Sequence, residues 1–202
     1  MAVKLFLSGL RIVLFLFFIS GFIYPQQIQF CKEKICIEVK KGECVLTGIY
    51  YFVNNSGKSI RQNLYYPYVV NDSLPLPYKA EVKLTKNDSI LPVIKSSKGI
   101  IFKINVEPND TTVVEVVYYQ KTPENKMEYI LTTTQKWGKP FAEAAYIVKI
   151  PSDFILEKMQ PAFDKSSIEE NYNIYYTLKK DYLPDHNFIV SWMEGSDEKI
   201  TK

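Results

Sequence analysis

Met127–Ile150 reads MEYILTTTQKWGKPFAEAAYIVKI, and its alternation decides the fold class. In an extended chain Met127, Tyr129, Leu131 and Thr133 fall on one face. Ala142, Ala144, Tyr146, Val148 and Ile150 fall on one face of a second run. Alternation of this period marks a half-buried strand. Between the runs lies Gln135-Lys136-Trp137-Gly138-Lys139-Pro140, where Gly admits unusual backbone angles and Pro stops ladder pairing. The expectation is a hairpin.

Working outward, similar runs fill both flanks. Ile35, Ile37 and Val39 alternate with polar neighbours, and Cys44–Val53 follows after Lys41-Gly42. Ser59–Val70 is strand-like, with Pro67 confining it to an edge or a bend. Further strands are expected at Lys79–Thr85, Ser89–Ile94, Ile100–Val106 and Thr111–Gln120. Beyond Pro151, Ser152–Met159 suits a strand or a helical turn, and Ser166–Glu170 a short helix. Tyr172–Leu178 and Asn187–Met193 close the chain as strands. Outside the N-terminus no amphipathic helix exceeds about ten residues, and the strands number about a dozen at roughly 8–12-residue spacing. The fold class is all-β: a mostly antiparallel β-sandwich, immunoglobulin-like or an extended two-sheet form. Parallel pairing is not expected, since nothing supplies a crossover helix.

The N-terminus is set apart. Lys4 and Arg11 carry its only charges, and Ile12–Tyr24, IVLFLFFISGFIY, is an unbroken apolar or small run. A positive start before a short apolar segment reads as a signal peptide over residues 1–25, an uncleaved membrane anchor being the alternative. Residues 26–121 form an N-terminal β-sandwich region and 122–194 a C-terminal β region that can belong to the same sandwich. Lys121–Lys126 is the candidate boundary, and 195–202 a polar tail. The expected location is outside the cytoplasm: periplasmic, cell-surface or extracellular.

Charge excludes one class of partner. The formal net charge is +3, and loss of residues 1–25 removes Lys4 and Arg11 and lowers it to +1. Arg11 and Arg61 are the only arginines, so no basic field or arginine cluster can read nucleic acid. Cys31, Cys36 and Cys44 lie together, and in an oxidising compartment one disulfide among them is expected. Four Asn-x-Ser/Thr sequons begin at Asn54, Asn71, Asn87 and Asn109. All fall in expected turns, where Asn and Asp are good turn formers regardless of glycosylation.

Catalytic patterns are sparse. His186 is the single histidine, in Leu183-Pro184-Asp185-His186-Asn187, with Asp181 and Asp185 near it in sequence. No Gly-x-Ser-x-Gly, phosphate loop, dinucleotide fingerprint or His-Glu-x-x-His occurs. Glu169-Glu170 lacks the separation that glycoside hydrolysis needs. No enzyme, cofactor or metal is expected.

Aromatic residues offer more. Tyr50-Tyr51, Tyr65-Tyr66, Tyr118-Tyr119 and Tyr175-Tyr176 are adjacent pairs, and neighbours on a strand point to opposite faces. Outward rings can form a platform for sugar or peptide, with Tyr66, Tyr119, Tyr175 and the loop residue Trp137 as candidates. Packing between layers is the structural alternative, as for Trp192. A third route to binding is strand addition at an uncovered sheet edge.

Tyr50–Tyr68, YYFVNNSGKSIRQNLYYPY, with the Pro-Asn-Asp turn inside Phe102–Tyr119, Tyr129-Ile130-Leu131-Thr132 and Trp137-x-x-Pro140, resembles extracytoplasmic β-sandwich domains of unknown function. The opening is similar to that of inter-alpha-trypsin-type VIT domains. The resemblance implies an exported sandwich and carries no catalytic residue. Together these readings give an exported, non-catalytic protein with a structural or protein-interaction role in the cell envelope. Its partner is another protein or an envelope glycan, and membrane contact is limited to an uncleaved N-terminus. The second reading is a carbohydrate- or peptide-binding module using exposed Tyr and Trp, and a hydrolase-like enzyme is third.

Overall fold

The computed structural model describes residues 28–195; the expected signal peptide and all but the first residue of the polar tail lie outside them. In chain order the strands are β1 (Ile28–Lys40), β2 (Glu43–Asn54), β3 (Ile60–Pro67), β4 (Lys79–Leu84), β5 (Ser89–Ile90), β6 (Val93–Ser96) and β7 (Gly99–Val106). Then come β8 (Thr111–Lys121), β9 (Lys126–Tyr129), a 3-10 helix at Thr132–Trp137, and β10 (Phe141–Pro151). The chain ends with β11 (Phe154–Gln160), β12 (Lys165–Glu169), β13 (Tyr172–Tyr182) and β14 (Phe188–Glu194).

One eight-stranded sheet, ordered β12-β13-β10-β1-β2-β8-β4-β5, is covered on one face by two three-stranded sheets, β3-β7-β6 and β11-β14-β9. The all-β, mostly antiparallel sandwich is therefore as expected, with one layer split in two. Ring contacts show how the layers meet. Tyr66 of β3 lies 5.6 Å from Tyr50 of β2 and 6.1 Å from Tyr118 of β8. Phe188 of β14 lies 5.0 Å from Tyr146 of β10. Alternation places Ile35, Ile37, Val39, Leu46, Val114, Val116, Tyr146, Val148 and Ile150 on the inner face, all of them fully buried. Burial of side chains this size supplies the main driving force for folding. The core cluster runs from Ile28 to Trp192 and takes residues from both sides of Lys121–Lys126.

Three local expectations are corrected. Met127–Ile150 is not a hairpin: β9 pairs with β14, while β10 pairs with β13 and β1. The first run keeps its inward face at Met127, Tyr129 and Leu131 but coils at Thr132, where the Asn187 carboxamide oxygen accepts from the Leu131 N–H and the Thr132 hydroxyl, each at 3.3 Å. The 3-10 helix ends at Gly138, whose φ of 69° a residue with Cβ rarely adopts. The second correction is the β1–β10 pair, which is parallel, with Lys32 opposite Glu143 through Glu38 opposite Lys149. Parallel neighbours need a long crossover; here β2 to β9 supply it as strands instead of a helix. Third, Lys165–Glu169 is the strand β12, replacing the short helix expected at Ser166–Glu170. Pro67 does end an edge strand, β3.

Candidate functional site

A bulge builds the interior of the site. The β1–β2 register shifts between Phe30 and Lys32, so Cys31 is an extra residue. Ile28 and Phe30 face inward before it, and Glu33, Ile35 and Ile37 after it. A one-residue insertion reverses the facing of everything beyond it. Glu33 is carried into the core in this way, at 3% exposure, opposite Tyr50 of β2 and Ala144 of β10.

Two tyrosines meet this carboxyl, and two more extend the chain of hydroxyls beyond it. The Tyr146 hydroxyl donates to Glu33 Oε1 at 2.7 Å, and Tyr129 Oη lies 3.5 Å from Oε2. Tyr129 donates to Tyr50 Oη at 3.1 Å, and the Tyr50 and Tyr66 hydroxyls share a bond of 2.7 Å. Burial pushes the Glu33 carboxyl from 4.5 up to about 8, against the opposing effect of the bonds from Tyr146 and Tyr129. Neutral Glu33 can donate from Oε2 to Tyr129, leaving Tyr129 to donate to Tyr50 and Tyr50 to Tyr66. Burial, reinforced by neighbouring charge, also holds the Tyr50, Tyr66 and Tyr129 hydroxyls well above the usual phenol range, so the relay is neutral. Gly48 makes room for it: a methyl group there would overlap the Tyr50 ring and hydroxyl.

Above the relay opens an aromatic cleft of about 70 Å³, several times the roughly 10–15 Å³ that one water needs. Tyr50, Phe52, Tyr66, Phe102 and Tyr129 form its floor, while Tyr65, Ile130 and Trp137 stand less buried toward its mouth. Trp137 is half-buried, its ring 5.8 Å from Phe30 and 5.9 Å from Phe52. Tyr65 is 54% exposed, its hydroxyl donating to the Lys98 carbonyl at 2.9 Å and its ring lying across Gly99. Rings held in this way lose little freedom on binding. The lining is mostly apolar, because the hydroxyls beneath it are bonded to one another.

The four aromatic candidates do not form one platform. Trp137 and Tyr66 line the cleft together. Tyr66, expected outward, is buried: it lies opposite Ile100 in the β3–β7 register and takes the inward phase with Leu64. Tyr119 does face outward, 5.9 Å from Tyr78 and beneath the Lys79 ammonium at 5.1 Å. Tyr175 lies opposite the buried Val148, so it takes the inner face and meets Phe163 edge-on, with ring centres 4.9 Å apart. β8 and β13 are separated by β10, β1 and β2. Sequence reasoning missed Glu33, which sits in a run of alternating charges and is turned inward only by the bulge.

The cysteine expectation is also corrected: Cys31, Cys36 and Cys44 are free thiols. Cys31 and Cys36 lie five positions apart on one strand, about 16 Å at the usual strand rise and far beyond disulfide reach. Cys44 lies opposite Val39 and so shares its inner face, whereas Cys36 points out. Burial raises all three thiols above their usual range. Of the sequons, Asn54 is fully buried, its amide donating to the Lys58, Val106 and Glu107 carbonyls at 2.7, 3.0 and 3.0 Å. Asn71 and Asn87 accept from the Ser73 and Ser89 N–H groups in turn geometry. The His186 imidazole is half-buried, its Nδ1 against the exposed Asp185 carboxylate and its Nε2 buried without a partner among the described residues. Among the described residues no group of three or more His, Cys, Asp or Glu is arranged to hold a metal, and no helix is long and apolar enough to cross a membrane.

No family model and no curated relative matches the sequence. Solved structures do match the fold. A candidate nutrient-binding protein from Legionella pneumophila superposes with a TM-score of 0.68 at 13% identity, over 84% of this chain and 68% of that one. An M1 zinc metallopeptidase from Deinococcus radiodurans superposes with 0.51 in a variant form, at 11% identity, and with 0.50 in the form described without substitution, at 10%. Each match covers 82% of this chain and 42% of the peptidase, so the chain spans less than half of that protein. At such identities the likeness is one of fold alone.

Proposed function

We propose that this is an exported, non-catalytic binding protein whose aromatic cleft takes a large apolar side chain of a peptide or protein partner. The observation that carries the reading is the cleft itself, with Tyr65 and Trp137 at the mouth of a ring-lined hollow. At about 70 Å³ the cleft is smaller than the roughly 300–1,000 Å³ of pockets that enclose a whole small ligand, so it suits a single anchoring side chain instead. An apolar group fits better than a sugar, because sugar hydroxyls need free polar partners and the tyrosine hydroxyls here are bonded among themselves. The Legionella protein of the same fold is itself a candidate nutrient-binding protein, which accords with a binding role. The apolar N-terminal run Ile12–Tyr24, which reads as a signal peptide, supports the export part of the reading.

Ligand-observed NMR with N-acetyl-phenylalaninamide, N-acetyl-leucinamide and cellobiose tests this. The two amides are expected to bind and cellobiose not to. Trp137→Ala is expected to weaken the amides by about tenfold or more, as loss of a tryptophan anchor does. Unchanged amide binding in Trp137→Ala, or preference for cellobiose, defeats the reading.

A further inference from the structure

The large sheet ends on β12, Lys165-Ser166-Ser167-Ile168-Glu169, and all five residues are exposed, Ile168 to 76%. β12 pairs with β13 on one side; among the described residues nothing pairs with it on the other. Soluble proteins blunt such an edge with a short strand, charged side chains, proline, a bulge or an inward charge, and of these β12, five residues long, carries the charges Lys165 and Glu169 at its ends. The run from Lys165 opposite Tyr176 to Glu169 opposite Tyr172 is regular and holds no proline. The other end of the same sheet is β5, only two residues long.

β12 is also held firmly in its extended form. The Asp164 carboxylate at its start accepts from the Thr177 hydroxyl at 2.6 Å and the Leu178 N–H at 3.1 Å. The Asp164 N–H donates to the Tyr176 carbonyl at 2.8 Å. At its end Glu170 and Asn171 form a two-residue turn, with Glu170 at a φ of 52°. A two-residue hairpin closes on a hydrogen-bonded pair, here Glu169 with Tyr172. Alternation then directs the backbone of Lys165 and Ser167 toward β13 and that of Ser166 and Ile168 away from it.

The strand is complementary to itself. A two-fold axis through Ser167, with a second β12 running antiparallel, sets Ser166 opposite the partner's Ile168, so the outward N–H and C=O groups meet. The same register sets Lys165 opposite the partner's Glu169 at both ends, and opposite charges directly across a pair of strands attract. An axis through Ser166 or Ile168 pairs no Lys with a Glu. The small side chain of Ser166 leaves the partner's Ile168 room to lie toward Phe163, which is 44% exposed.

We propose that this chain forms a two-fold dimer through β12, joining two large sheets edge to edge into one. Self-complementary contact across a two-fold axis is the commonest way that a single surface makes a closed pair. The seam is short, so the dimer is concentration-dependent. It is independent of the cleft, which the small sheet β3-β7-β6 and the 3-10 helix help to form.

Sedimentation velocity of the purified protein at about 0.1 mM, a concentration suited to a micromolar Kd, tests the proposal. The unsubstituted protein is expected to sediment as a dimer that dissociates on dilution. Lys165→Glu and Glu169→Lys each turn both attractive pairs repulsive and are expected to weaken the dimer about tenfold or more. Mixing these two variants restores opposite charges across the seam, as does the chain carrying both, and each is expected to recover the dimer. Circular dichroism checks that every variant is folded. A monomer at this concentration, single variants that still dimerise, or a mixture and a double variant that stay monomeric overturn the proposal. A monomeric wild type would leave the edge to a strand of another protein.

Discussion

Glu33 sits at the centre of the molecule and sets its response to pH. Its carboxyl is raised from 4.5 to about 8, chiefly by burial. The folded chain therefore binds one more proton than the unfolded chain between these values. Stability is fully present below about 4.5 and falls as pH rises through about 8. Denaturant unfolding at pH 5 and pH 8 is expected to show this fall, and Glu33→Gln to flatten it, a difference on the order of a few kcal/mol at pH 8. An equal slope in the variant would show that another group is responsible. Tyrosine facing follows a plainer rule. All four adjacent pairs split as alternation requires, Tyr50, Tyr66, Tyr118 and Tyr175 inward and Tyr51, Tyr65, Tyr119 and Tyr176 outward. Which member turns inward is set by register: Tyr66 lies opposite Ile100, and that pairing is long-range.

Elements were legible where one strand's own alternation carried the information. β1, β2, β7, β8 and β10 all show it; β2, β7, β8 and β10 were expected within a residue or so of their bounds, while of β1 only the half around Ile35–Val39 was expected and its start at Ile28 was not. Neighbours were not legible. β10 pairs with β1, more than a hundred positions away, and not with β9 just before it. The coil at Thr132–Trp137 depends on Asn187, a residue from the β13–β14 connection. The same register keeps the cysteines apart, since β2 turns Cys44 inward while Cys36 looks out. All three thiols are expected to remain reduced in the purified protein. Titration with a thiol reagent should find three per chain in denaturant, with Cys44 unreactive while the chain is folded; finding one would mean that a disulfide forms.

Taken whole, the molecule is one large sheet roofed by two small ones, with one core cluster beneath both. Strands from before and after Lys121–Lys126 are joined in the large sheet, where the block β12-β13-β10 adjoins the block β1-β2-β8 through the β10–β1 pair. We expect residues 26–194 to unfold as one cooperative unit, with near-ultraviolet circular dichroism and tryptophan fluorescence giving coincident thermal transitions. Two separate transitions would restore a boundary near Lys121. Roofing of the large sheet by two small ones also explains the cleft, which opens where β3, β7 and the 3-10 helix meet the large sheet.

By itself the sequence determined what alternation and composition can determine. It specified strands over helices, which residues of a strand share a face, an arginine-poor composition, and turns at the Asn-rich sites. Those properties are local, because a side chain's facing follows from the one before it. Tertiary structure alone decided the strand order, the parallel β1–β10 pair, the burial of Glu33 behind a bulge, and the meeting of Tyr66 with Trp137. Backbone hydrogen bonds are the same for every residue, so a strand's own sequence does not name its neighbour. That choice is made when the inner faces of all three sheets close over one core.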